Sequence, residues 1–104
     1  MKHRKFKPFG SVSALTLGGG GVGNVWGKTT RREAVDTVLY AIDSGINHLD
    51  MAPMYGRGEA ELVTGEALKD RDLSKLKITT KCQLGTQPHD KVYKKLNESL
   101  IESF

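Results

Sequence analysis

The chain has 104 residues, 38% of them hydrophobic and 27% charged, with a formal net charge of +4, the ordinary composition of one globular domain covering residues 1–104. No apolar run reaches the roughly 18 residues that a membrane-spanning helix needs, and the charged start "MKHRKFKPFG" leads into no apolar segment of the kind a secretory leader carries. A cytoplasmic location without membrane association is the expectation, and the single cysteine, Cys82, which has no partner for an internal disulfide, agrees with a reducing compartment.

Much of the positive charge crowds the first seven positions, at Lys2, His3, Arg4, Lys5 and Lys7. With no aromatic interleaving and no nucleic-acid motif around it, this cluster reads as a solvated strand edge, on which basic side chains block unwanted pairing, and no nucleic-acid partner is expected. "RKFKPF", Gly10 and "SVSALTL" predict two short strands about a turn, an N-terminal hairpin with Pro8 where a missing N–H is tolerated. Both alternating sets of "VSALTL" contain apolar residues, which predicts a strand buried on two faces.

Thr30 and Glu33 have the spacing of a capping box, in which the threonine hydroxyl and the glutamate carboxylate each satisfy a free backbone N–H. A helix is predicted to start there, with Ala34, Val35, Val38, Leu39, Ala41 and Ile42 at helical spacing and Gly45 as its stop. "INHLD" follows as a short strand, "MAPMYGRG" as a loop, and a second helix runs from about Glu59 to Lys69, carrying Leu62, Val63, Glu66, Ala67 and Leu68. "LKITTKC" reads as another strand, and Asp90 to Phe104 as a third helix with Val92, Leu96, Leu100 and Ile101 on one side. Hairpin, β, α, β, α, β, α with short connections is an α/β order, and it implies right-handed crossovers and a parallel sheet.

The stretch "LGGGGVGNVWGKTT" touches two nucleotide-binding signatures and satisfies neither. Gly18, Gly20 and Gly23 have the G-x-G-x-x-G spacing, but that motif works because the helix begins within it and meets the pyrophosphate, whereas here Asn24 to Thr29 precede the cap at Thr30. "GKT" at Gly27 to Thr29 lacks the P-loop's upstream glycine, since Val22 stands at that position. The glycines could instead let backbone approach a flat ligand at the end of the first parallel strand, or simply form a turn.

Asp50 closes the strand "INHLD", Tyr55 lies five residues on, and Lys81 closes "KITTK". Sequential parallel strands are usually neighbours, so the three polar groups are expected to gather at the strands' C-terminal end, where α/β proteins place their active sites. A tyrosine hydroxyl is a weak acid, and an adjacent ammonium stabilises its anion. A carboxylate such as Asp50 can hold that ammonium charged and oriented, and the tyrosine then suits protonation of a carbonyl oxygen while hydride arrives at carbon.

"GINHLDMAPMYGRGEAELVTGEAL", Gly45 to Leu68, resembles the aldo-keto reductase signature, in which G-I-N, an aspartate, a small-residue pair, a tyrosine before glycine, a glutamate and a later glycine recur in this order. "ITTKC" resembles the family's lysine strand, and "VSALTLGGGGVGNVWG" its first barrel strand and loop. The resemblance implies a (β/α)8 TIM barrel that binds NADPH, or NADH, in extended form and reduces aldehydes or ketones as small-molecule carbonyl substrates, without a metal. It implies Tyr55 as general acid with Asp50 and Lys81 as charge partners, Gly20, Gly21, Val22 and Asp50 beside the cofactor, and Trp26 with Tyr55 at the substrate pocket.

Such a barrel takes about 250 residues, so an N-terminal hairpin and three βα units would make this chain the N-terminal part of one barrel domain, incomplete by itself. The family's catalytic histidine falls in the next strand; His89 precedes the third helix and does not replace it, and His48, inside a strand, reads as a buried, hydrogen-bonded residue. Cys82 reads as a small core residue. The alternative is a partial-barrel remnant without catalysis that binds a partner or associates with itself.

Overall fold

The computed structural model describes residues 1–104. Its order is β1 (His3–Phe6), β2 (Gly10–Ser13), β3 (Leu17–Gly18), α1 (Arg31–Asp43), β4 (His48–Asp50), α2 (Glu59–Leu68), β5 (Lys77–Thr79) and α3 (Val92–Ser103). β1 and β2 form an antiparallel hairpin, and β3, β4 and β5 form a parallel sheet with β4 in the centre. The predicted hairpin and the predicted alternation of parallel strands with helices are both present.

One predicted strand is broken in two. Ser13 ends β2 because its hydroxyl donates to the Leu15 carbonyl at 2.6 Å, a local bond that competes with the ladder and turns the chain. Ala14, Leu15 and Thr16 are consequently exposed, and only Leu17 and Gly18 pair with β4. Hydrophobic content could not reveal this break, since the residues on either side of it are equally apolar.

Asn47 fastens the hairpin to the sheet. Its side-chain oxygen accepts from the Ser13 N–H at 2.7 Å, its amide donates to the Ser11 carbonyl at 3.0 Å, and its backbone N–H donates to Ser13 Oγ at 3.0 Å. The Asn47 carbonyl then accepts from Lys77 N at 2.8 Å, so one residue at the N-terminal end of β4 joins the hairpin, β4 and β5.

α1 begins as its capping box predicts: Glu33 N donates to Thr30 Oγ1 at 3.1 Å, and Thr30 N to Glu33 Oε2 at 3.0 Å. It ends in a Schellman turn, with Gly45 (φ +95°) donating to the Ile42 carbonyl and Ile46 to the Ala41 carbonyl, which satisfies carbonyls the helix leaves free. Ala34, Val38 and Ala41 face inward from α1, and Ala60, Val63, Thr64, Ala67 and Leu68 from α2. Leu49, the middle residue of β4, is fully buried beneath them, while its neighbours His48 and Asp50 turn to the opposite face, as strand alternation requires.

Two predicted faces differ from those observed. Leu62 is 60% exposed, because the buried stripe of α2 runs through Ala60, Val63 and Ala67 instead. In the third helix the first turn, His89–Lys91, is 3-10, and α3 proper starts at Val92 rather than Asp90. Its apolar side is poorly covered: Val92 and Ile101 are exposed, Leu96 and Leu100 half-buried, and the one buried residue is Ser99. α3 follows β5, the edge strand, and no strand lies beyond it to present a further apolar face.

Candidate active site

Each polar group of the predicted site arrives by a different connection. Asp50 ends β4. Lys81 lies two residues past β5, which stops at Thr79, so it belongs to the following loop and does not close the strand as the sequence suggests. Tyr55 sits in the loop from β4 to α2, anchored by Tyr55 N donating to the Ala52 carbonyl and its own carbonyl accepting from Ala60 N.

The loop around Tyr55 is shaped by glycine contacts. Gly56, Arg57 and Gly58 take φ values of +64°, +55° and +94°, which glycine accepts at no steric cost and arginine does not. A Cβ on Gly56 would run into the Gly23 carbonyl, and one on Gly23 would lie 2.9 Å from the Tyr55 carbonyl. A Cβ on Gly19 would meet Met51 Sδ and come within 3.2 Å of the Tyr55 ring. The glycines at 19, 23 and 56 therefore bring the β3 loop flush against the backbone and ring of Tyr55, a role the sequence reading did not assign to them.

At the centre is Lys81. Its Nζ donates to Asp50 Oδ1 and to the Met51 carbonyl, each at 2.8 Å, and it lies 5.0 Å from the centroid of the Tyr55 ring, within the range of a cation–π attraction. The hydrogen bond that Lys81 donates to Asp50 holds its ammonium above the ordinary lysine range, and Tyr55 adds a smaller effect of the same sign. The Asp50 and Lys81 side chains remain 38% and 39% exposed, open enough for a ligand to reach both. Asp50, Lys81 and Tyr55 thus come together at the C-terminal end of the parallel strands; the Met51 carbonyl joins them without having left any signal in the sequence, because a backbone acceptor is independent of residue type.

The glycine-rich loop makes neither nucleotide motif. It closes on itself through Gly23 N to the Gly19 carbonyl and Val25 N to the Gly20 carbonyl, both at 3.0 Å, and α1 starts only at Arg31. The Val22 side chain belongs to the hydrophobic core, which leaves only its backbone for a ligand. Gly20 is buried beneath Trp26, whose ring would be 2.9 Å from a Cβ there. Trp26 itself is 80% exposed and lies over Gly20 and Gly21. Gly18 is the register partner of Asp50, and the space where its Cβ would stand is open.

The remaining candidates fall outside this cluster. His48 is half-buried rather than buried, with both ring nitrogens hydrogen-bonded to threonine hydroxyls. His89 is exposed in the 3-10 turn, and Cys82 is a half-buried free thiol rather than a core residue. No three His, Cys, Asp or Glu side chains meet in a metal-holding group. No helix is long and apolar enough to cross a membrane.

Comparison with known proteins gives the family. A model of the Aldo/keto reductase family matches residues 14–104, everything past the hairpin. The NADH-specific methylglyoxal reductase of Escherichia coli is 33% identical over 87 residues, 84% of this chain and 26% of that protein. L-Galactose dehydrogenase of Arabidopsis thaliana is 33% identical over 94 residues, 88% of this chain and 30% of that protein. Among solved structures, the thermostable aldo-keto reductase Tm1743, in complex with the inhibitor epalrestat, superimposes with a TM-score of 0.74 at 28% identity, over 99% of this chain and 39% of that one. The chain belongs to the aldo/keto reductase family, whose members are NAD(P)H-dependent oxidoreductases. It spans less than a third of the length of these curated relatives.

Proposed function

We propose that this chain carries the acid and charge-partner residues of an NAD(P)H-dependent reductase that converts aldehydes or ketones to alcohols, and that it is the N-terminal part of a single (β/α)8 barrel domain. The observation that carries the reading is the meeting of Asp50, Lys81 and Tyr55 at the C-terminal end of adjacent parallel strands, with the ammonium shared between carboxylate and carbonyl beside the tyrosine ring.

The residues present fit a dinucleotide's nicotinamide end. Gly18, beside Asp50, leaves open room on the face that Asp50 occupies, and Gly20, Gly21 and the backbone of Val22 line the adjoining loop. The cofactor, when bound, supplies hydride. Tyr55 donates its proton to the carbonyl oxygen as negative charge develops there, and Lys81, held charged by Asp50, stabilises the phenolate left behind. Asp50 orients the ammonium, and Trp26 is placed to screen the loop from water. NADPH is the proposed cofactor, with NADH as its alternative, since an NADH-specific enzyme stands among the relatives.

The test is replacement of Tyr55 by Phe in the intact protein. Carbonyl reduction should fall by about 100-fold or more, the typical contribution of a positioned general acid, while cofactor binding followed by fluorescence titration stays close to wild type. Retained turnover would remove Tyr55 from the acid's role. A second reading, a non-catalytic partial barrel that associates with itself or with a partner, is favoured by the uncovered side chains of Leu62 and Ile101, which are 60% and 74% exposed.

A further inference from the structure

Strand pairing beneath the site is sparse. β3 contributes only Leu17 and Gly18 to its ladder with β4, and β4 and β5 are in register over only His48 to Asp50 against Lys77 to Thr79. Yet the Asp50–Lys81 contact needs β4 and the segment after β5 in one relative position, because both acceptors of the Lys81 ammonium, Asp50 Oδ1 and the Met51 carbonyl, come from the end of β4. A slip of one residue would turn each side chain to the other face.

On the face that carries Asp50, and two residues before it, His48 spans all three strands. Its Nδ1 lies 3.0 Å from Thr16 Oγ1, just before β3, and its Nε2 lies 2.8 Å from Thr79 Oγ1 at the end of β5. Thr79 is the register partner of Asp50, and its carbonyl accepts from Met51 N at 2.7 Å. A neutral imidazole has one donor and one acceptor nitrogen, and a hydroxyl can serve either one, so the row Thr16, His48, Thr79 is satisfiable in either tautomer.

We propose that His48 is a positioning residue for the site: by bridging Thr16 and Thr79 it fixes the three strands so that the Asp50 carboxylate and the Met51 carbonyl converge on Lys81. Its contribution acts through Asp50 and not on a reacting atom. The inference rests on the proposed function only for what the Asp50–Lys81 pair accomplishes; the positioning itself is read separately from reduction.

The experiment follows the titration of Lys81 by NMR in the intact protein carrying 13C-labelled lysine, the signal being assigned by its loss in Lys81→Arg. Asp50 holds this ammonium above the ordinary range, so His48→Leu should lower the Lys81 midpoint. His48→Gln, which offers one donor and one acceptor at similar reach, should restore most of it, and His48→Leu should have no further effect in the Asp50→Asn background. An unchanged midpoint in His48→Leu, equal losses in the Leu and Gln variants, or additivity with Asp50→Asn would each overturn the proposal. If His48→Leu does not fold, Thr79→Val, which removes one hydroxyl at constant shape, decides: a lowered midpoint upholds the bridge and an unchanged one rejects it. Intact coupling in a protein that reduces no carbonyl would overturn the reductase reading and leave this one standing.

Discussion

Arg31, the first residue of α1, grips Glu59, the first residue of α2, through paired hydrogen bonds of 2.7 and 2.8 Å, and reaches Glu66, two turns along the same helical face, at 3.1 Å. The fork geometry matches guanidinium to carboxylate in a way a lysine cannot reproduce. It also brings together the helix starts that flank the glycine-rich loop and the Tyr55 loop. Replacing Arg31 with Lys should lower the melting temperature by a small, salt-dependent amount, since exposed pairs contribute little. A melting temperature indifferent to salt in both proteins would show that the clasp does not contribute.

Leu49 is the counterweight in the core. It has no exposed surface, between α1 and α2 on the face of β4 away from Asp50. Leu49→Ala should destabilise the fold by about 2–5 kcal/mol, measured by urea unfolding, a far larger loss than Arg31→Lys.

Thr30 gives a cleaner test of local sequence logic. Thr30→Ala removes the hydroxyl that accepts from Glu33 N and should cost about 1 kcal/mol, whereas Thr30→Ser should be close to neutral. The capping box, the Gly45 stop and the buried stripe of α1 could all be read from residue type because each is a local requirement. The break after Ser13 could not, since it depends on one side-chain bond within an evenly apolar run. The exposure of α3 was equally hidden: amphipathic spacing tells which residues share a side, not whether anything covers that side. That Asp50, Tyr55 and Lys81 meet was legible from the parallel order of their strands, while the place of Lys81 in a loop past β5, the Met51 carbonyl and the close glycine contacts at 19, 23 and 56 appear only once backbones are placed against each other.

The ion pair between Arg71 and Asp43 predicts an acid dependence. Arg71 donates to both Asp43 oxygens, at 2.6 and 3.3 Å, and this hydrogen bonding holds the Asp43 carboxyl below its ordinary value. A depressed carboxyl contributes stability that is present above its unfolded pKa and is lost as pH falls through the folded one. Arg71→Leu should therefore be less stable than wild type near neutral pH, and the two unfolding curves should converge in acid, below the ordinary carboxyl value of 3.8. A gap that persists in acid would mean that packing of the arginine stem, rather than its charge, accounts for the difference.

Lys81 predicts the opposite limb. Its folded pKa is raised, first by Asp50, so its contribution is complete below the unfolded lysine value and disappears as pH rises through the folded one. Asp50→Asn should lose stability relative to wild type at neutral pH, and the difference should close as pH rises through the Lys81 titration. Urea unfolding across the alkaline range measures this, and a difference that stays constant through the Lys81 titration would rule the pair out as its source.

The Asn47 fastening and the Asp50–Lys81 pair lie at opposite ends of the same short strands. One end is knotted by bonds that pass through the Asn47 amide and the Ser13 hydroxyl, and the other opens onto loops. The segment from Leu84 to Pro88, past the bond from Gln83 N to Ser99 Oγ, is accordingly the place where a longer or exchanged loop would leave the hairpin whole, with the anchoring end keeping its sequence.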